Sequence, residues 1–213
     1  MFIGISGKGR SGKDTFAKML AGEFSKKIGK PYVLMAYAAE LKKKVQKDFD
    51  LSWEQLWGDE KEVPDKRYPK KQMDLPFCID KKLEVIGETY WTPREILQDY
   101  GQFFRVIYNN FWVNHLFKII DDKEYKNVII TDVRHINEVD AVVDRGGFHV
   151  RILRDDKDAI HGEQHISETA LDNGHRVDFE VANNWGLIEL KVAASEVAVF
   201  LTSQKGVNKI LEV

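Results

Sequence analysis

The chain has 213 residues, 43% of them hydrophobic, which suits one sizeable domain with a substantial core and an excursion from it. A formal net charge of −2 gives no global basic field for holding nucleic acid. The lone cysteine, Cys78, excludes an intrachain disulfide framework and a multi-cysteine zinc site. No apolar run is long enough to span a bilayer and no basic leader precedes the first strand, so a cytoplasmic protein is expected.

Phe2-Ile3-Gly4-Ile5 reads as a strand, and Phe16, Met19, Leu20 and Phe24 give the spacing of a helix ending near Gly29. Between them lies Gly7-Lys8-Gly9-Arg10-Ser11-Gly12-Lys13-Asp14-Thr15. Gly7, Gly12 and Lys13 fit the phosphate-loop spacing of Gly, four residues, then Gly-Lys. A helix N-terminus carries unpartnered N–H groups and partial positive charge, and glycine lets that backbone approach an anion closely. Lys13 would reach a β- or γ-phosphate as a point charge. Asp14 stands where Ser or Thr normally offers a hydroxyl to Mg²⁺. Its carboxylate is also a hard oxygen ligand, Thr15 is the other candidate, and the alternative is a simple first-turn helix charge.

Pro31 opens a second strand over 32–36, and a helix follows from Ala39 with Leu41, Val45 and Phe49 on one side. From Asp50 to Trp91 the periodicity breaks at Pro64, Pro69 and Pro76, which reads as an excursion from the core, with a strand or hairpin over 83–91. Trp53 and Trp57 either cover an acceptor site or fill a small subsidiary core.

Thr92-Pro93-Arg94-Glu95 has the form of a capping box with proline at the first helical position. The helix that follows presents Ile96, Tyr100, Phe103, Phe104 and Ile107 as its expected core stripe. Arg94, Gln98, Gly101 and Arg105 form a polar stripe turned away from it. Glycine inside a helix costs about 1 kcal/mol against alanine, so Gly101 makes room either for a flat base or for a packed helix. Trp112 opens the next helix.

Val128-Ile129-Ile130-Thr131-Asp132 reads as a strand buried on both faces and ending in a carboxylate, with Arg134 just beyond. Ligands of open α/β sheets lie at such carboxyl ends, where Asp132 could join a magnesium shell. A helix over 136–145, a strand over 149–153 ending in Arg154, a polar stretch over 155–163 that reads as a mobile flap or a plain loop, and a short helix start at His165-Ile166-Ser167-Glu168 follow. A last strand, 179–182, leads through Asn183-Asn184 into a helix over 187–201; those asparagines either border an adenine or form a simple turn. The alternation predicts an α/β three-layer sandwich with a mostly parallel sheet. No guanine-reading Asn-Lys-x-Asp string is present, and arginines on separate elements suit a reaction joining two phosphorylated substrates.

Taken together, the loop, the Arg94-x-x-x-Gln98-x-x-Gly101-x-x-x-Arg105 stripe with Trp112, Asp132-Val133-Arg134 with Asn137-Glu138, and His165-x-Ser167-Glu168 resemble the deoxynucleoside monophosphate kinases of tailed phages. That resemblance implies a P-loop NTPase fold with helical acceptor-binding and lid excursions, dependence on Mg²⁺, and transfer of the γ-phosphate of ATP to a deoxynucleoside monophosphate. By position, Ser11, Lys13, Asp14 and Thr15 would hold ATP phosphates and magnesium, with Gly9, Arg10 and Gly12 completing the loop. Arg94, Gln98, Gly101 and Trp112 would line the monophosphate and base site, with Arg105 added from its place on the stripe. Asp132 and Glu138 would sit near the reacting phosphates or sugar, Arg134 would clamp the transferred group, and Arg154 would belong to a lid over 154–168. Gln102, where relatives often carry Thr, and Glu95, where some carry a basic residue, leave the accepted bases open. The expected core is 1–50 with 126–213, the expected acceptor excursion is 51–125, and a homodimer is implied by the resemblance alone. A kinase of the phosphomevalonate or dephospho-coenzyme A type, or an ATP-gated binding module without an acceptor, remains the alternative.

Overall fold

The computed structural model describes residues 1–29, 31–70, 89–154, 170–171 and 176–210. The chain divides into two compact units, Met1–Tyr37 with His115–Val213, and Ala38–Asn114.

In the first unit, β1 (Phe2–Ser6), β2 (Val33–Met35), β3 (Val128–Val133), β4 (Phe148–Leu153) and β5 (Phe179–Ala182) form a sheet in the order β2-β3-β1-β4-β5. Every neighbouring pair is parallel. Alternation along a strand sends successive side chains to opposite faces, and both faces are covered. Ile3 and Ile5 of β1 pack with Phe16, Leu20 and Phe24 of α1 (Lys13–Ile28) and with Leu190, Ala194 and Leu201 of the C-terminal helix, Leu187–Ile210. That helix runs past the expected end at 201. On the opposite face a Cβ at Gly4 would stand 3.3 Å from Val142, so α6 (Ile136–Val143) lies close above β1. Phe2 meets Phe117 edge-on there, with ring centroids 6.1 Å apart. The result is the expected α/β sandwich with helices on both faces.

The second unit has its own core. Its elements are α2 (Tyr37–Phe49), whose first residue belongs to the first unit, the single-turn α3 (Trp53–Leu56), α4 (Pro93–Ile107) and the start of α5 (Phe111–Asp122). Val45, Leu51, Leu56 and Ile96 are buried together, with Leu41, Phe49, Trp57, Tyr68, Trp91, Leu97 and Tyr100 around them. The boundary falls at Ala38 rather than near 51 because the apolar face of α2 is covered by these residues. Trp57 joins this core, whereas Trp53 is 60% exposed and stacks on Trp57.

Asp65 ties the irregular part of this unit together. Its carboxylate accepts from Arg67 Nη2 (2.7 Å), the Arg67 backbone N–H (3.0 Å) and Gln55 Nε2 (2.9 Å), while its own N–H donates to Trp91 O (2.8 Å). The Arg67 guanidinium and these donors hold the carboxyl well below the usual carboxylate range. Tyr90 forms an antiparallel bridge with Pro69, so the described end of the expected 83–91 strand is extended; residues 83–88 of it lie outside the described residues.

α4 begins as its sequence dictates. Thr92 Oγ1 accepts from the Glu95 N–H (3.2 Å), Glu95 Oε2 accepts from the Thr92 N–H (2.9 Å), and Pro93 occupies the first turn. Its buried face departs from the expected stripe. Ile96 is buried, but Phe103 and Ile107 are 47% and 66% exposed, and Gly101 is buried.

Candidate active site

β1 and β3 are neighbours at the centre of the sheet, and the chain leaves their carboxyl ends toward opposite faces, into α1 and α6 respectively. A crevice opens where chain connections diverge in this way. One wall is the Gly7–Gly12 turn and the other is Asp132–Arg134.

The turn is a closed backbone ring. The Ser11 N–H donates to Lys8 O (3.2 Å), and the Phe16 N–H donates to Gly12 O (2.9 Å), closing the first turn of α1. Two glycines are needed for close approach. A Cβ at Gly7 would meet Ser11 Oγ at 2.6 Å and Ile152 O at 2.7 Å. A Cβ at Gly12 would meet Asn183 Nδ2 at 2.4 Å, and Gly12 has φ +90°. Arg10 adopts φ 62°, a left-handed conformation that costs a non-glycine residue about 1–2 kcal/mol. Lys13 is nearly buried, with Nζ within 3.5 Å of Lys8 O, so its charge is held over the loop. Ser11 is 3% exposed, and its Oγ has no hydrogen-bond partner among the described residues. A buried hydroxyl without a partner is costly unless a ligand satisfies it, and a phosphate oxygen would. Asp14 and Thr15 are exposed in the first turn of α1, where a carboxylate and a hydroxyl can join the shell of a hard cation. Among the described residues no cluster of three or more His, Cys, Asp or Glu forms a cage.

Along the other wall, Asp132 is largely buried, and its Oδ1 accepts from the Tyr37 N–H at 2.7 Å. Tyr37 is itself buried; desolvation, reinforced by the negative charges of Glu138 and Asp132, raises the pKa of its phenol and keeps it protonated. Glu138 is 2% exposed, and its Oε2 accepts from the backbone N–H groups of Arg134 (2.7 Å) and His135 (3.2 Å). Its carboxylate therefore fixes the turn that carries Arg134 at the start of α6. Arg154 donates from Nη1 to Arg10 O (3.2 Å), at the mouth of the loop. The rest of the expected lid, 155–168, including His165, Ser167 and Glu168, lies outside the described residues.

In the second unit the polar stripe of α4 is partly committed. The Arg94 guanidinium pairs with Glu62 and is half exposed. Gln98 is half-buried, and Arg105 Nη1 lies 3.3 Å from where a Cβ on Gly101 would stand. Leu41 of α2 covers the same point at 3.2 Å, so of the two reasons for this glycine, helix packing is the one realised. Trp112, expected to line a base site, is 2% exposed. Its indole N–H donates to Gly101 O (3.0 Å) and its ring packs edge-on against Phe104 and Phe111. It fills the helical hairpin instead of presenting a surface.

The sequence profile of the family named Deoxynucleotide monophosphate kinase matches residues 55–193, more than half of the chain. The chain belongs to the deoxynucleotide monophosphate kinase family. A protein of Acanthamoeba polyphaga mimivirus, provisionally named as a deoxynucleotide monophosphate kinase, is 29% identical over 192 residues, covering 86% of this chain and 89% of its own length. The family match includes α4, Asp132–Arg134 and Glu138 of this nucleotide kinase and begins after the Gly7–Lys13 turn.

Two site features of this family member escape sequence reasoning. Asn183 Nδ2 donates to Ser11 O (2.8 Å) across 172 positions. His149, fully buried in β4, bonds Arg176 O through Nδ1 (2.6 Å) and Ser6 Oγ through Nε2 (2.8 Å). A carbonyl can only accept, so Nδ1 carries a proton; in the neutral ring Nε2 then accepts from the Ser6 hydroxyl. The available signal was a histidine inside an apolar strand run, Phe148–Leu153.

Proposed function

We propose that this chain transfers the γ-phosphate of ATP to a deoxynucleoside monophosphate, giving ADP and a deoxynucleoside diphosphate. The observation that carries the reading is the Gly7–Lys13 turn, with its buried Ser11 hydroxyl, which has no partner among the described residues, and the Lys13 ammonium held over it. This is a cradle for a polyphosphate at a helix N-terminus. Family membership supports a deoxynucleoside monophosphate as the acceptor.

In this reading Gly9, Arg10, Ser11, Gly12 and Lys13 grip the ATP phosphates, and Arg154 covers them. Asp14 and Thr15, with Asp132 at the carboxyl end of β3 as a further carboxylate, would hold Mg²⁺, and the ion would neutralise charge on the β- and γ-phosphates. An oxygen of the acceptor monophosphate forms a bond to the γ-phosphorus as the bond to the ADP oxygen breaks. Phosphoryl transfer depends chiefly on alignment and charge stabilisation, so no protein nucleophile is needed. Arg134, held by the Glu138-braced turn, stabilises charge on the transferred group. Arg94, Gln98 and Arg105 bind the acceptor, while Gly101 and Trp112 set the shape of the helix pair that carries them.

An ADP-release assay with Mg²⁺ and ATP, run across dAMP, dGMP, dCMP, dTMP and their ribonucleotide counterparts, tests this. At least one deoxynucleotide should accelerate ADP release well above the acceptor-free rate. Acceleration by none of them overturns the reading.

A further inference from the structure

Two successive carbonyls of the phosphate loop are held from outside the loop by side chains at the ends of neighbouring strands. Arg154, following β4, donates to Arg10 O, and Asn183, following β5, donates to Ser11 O at 2.8 Å. The second contact is the more constrained. The Asn183 N–H donates to Leu153 O (2.7 Å), which fixes the residue to the end of β4. Only an NH₂ group can face a carbonyl oxygen, so the orientation of the amide is determined. The same Nδ2 occupies the space that a side chain at Gly12 would need.

The peptide between Ser11 and Gly12 is trans, so its C=O and N–H point in opposite directions. Holding Ser11 O on Asn183 therefore turns the Gly12 N–H the other way. We infer that Asn183 is a positioning residue for phosphoryl transfer: through Ser11 O it aims the Gly12 N–H into the anion cradle, and so sets the affinity for the polyphosphate without reading the base. This rests on the reading of the loop as the ATP phosphate site.

Calorimetric titration with ATP and with inorganic tripolyphosphate, both with Mg²⁺, tests the inference on wild type and on Asn183→Leu, which keeps the volume but removes the donor. Asn183→Leu should weaken ATP and tripolyphosphate by the same factor, about three- to tenfold for one lost hydrogen bond. In the ADP-release assay the KM for ATP should rise by that factor, with the acceptor KM changed less than about twofold. Asn183→Ala should give the same parallel loss if the leucine variant melts early. Unchanged binding of both ligands by a folded variant would reduce Asn183 to packing and overturn the inference alone. Loss confined to ATP would mean that the side chain contacts the base, which also overturns it. Wild-type protein that binds neither ligand would overturn the ATP reading, and this inference with it.

Discussion

At the scale of single residues, the Gly7–Lys13 turn is defined by what is missing from it. Gly12 has no side chain where Asn183 Nδ2 stands, and its φ of +90° is one that an L-residue rarely adopts. Gly12→Ala should lower stability by about 1–3 kcal/mol through strain and contact, seen as a lower thermal midpoint. It should also reduce ATP-dependent turnover at least about tenfold, because relief of the contact requires the loop or Asn183 to move. Full turnover with an unchanged midpoint would show that the cradle tolerates a methyl group there. The turn through Gly7, Gly12 and Lys13 is legible in the sequence because it is built from local backbone. The bracing by Asn183 and Arg154 is not legible, because those bonds join positions 172 and 144 residues apart. Trp112 shows the same limit: its place beside the polar stripe suggests a base site, and its 2% exposure and its bond to Gly101 O are contacts that the sequence does not display.

At the scale of elements, α4 shows how far a local signal reaches. Its start follows from Thr92, Pro93 and Glu95, whose hydrogen bonds are made within one turn. Its buried face does not follow, since apolar residues surround much of the helix and their phase depends on α2, Leu51 and Leu56. The irregular segment before it depends on Asp65. The folded carboxyl titrates below its unfolded value, chiefly through Arg67, so its stabilisation is complete above the unfolded pKa of about 3.9 and disappears as pH falls through the folded value. Asp65→Asn should therefore destabilise the protein by about 1–2 kcal/mol at neutral pH. The gap to wild type should stay constant down to about pH 4 and close below it. Urea unfolding of both proteins across that range measures this, and a gap that persists at low pH would mean that the amide itself, not the lost charge, is responsible.

At the scale of the whole molecule, ligand binding and folding are linked. The cradle belongs to the same unit as the central sheet, so ATP bound there must favour the folded chain over the unfolded one. With Mg²⁺, ATP at about 100 times its dissociation constant should add about 2.7 kcal/mol and raise the thermal midpoint by several degrees. EDTA should shrink that rise, and Lys13→Ala, which removes the charge held over the loop, should nearly abolish it. An equal rise in the Lys13→Ala protein would place the nucleotide elsewhere. Sequence alternation was enough to expect the layered sheet, because parallel strands buried on both faces read as apolar runs such as Val128–Ile130. The unit boundary at Ala38 was hidden, since the partners of α2 arrive only after position 50.

The strand order has one more implication. β1 is the third of five strands, hydrogen-bonded to β3 on one side and β4 on the other, and it runs directly into the glycine turn. The stem of that turn therefore has no open edge along which to fray. Its amides should exchange with solvent only when the sheet comes apart, while motion needed for nucleotide exchange must come from the tip around Lys8–Arg10 and from the side chains that clasp it. A change in the stem is thus tested first by folding and only afterwards by catalysis, whereas a change in the clasp is tested directly by nucleotide affinity.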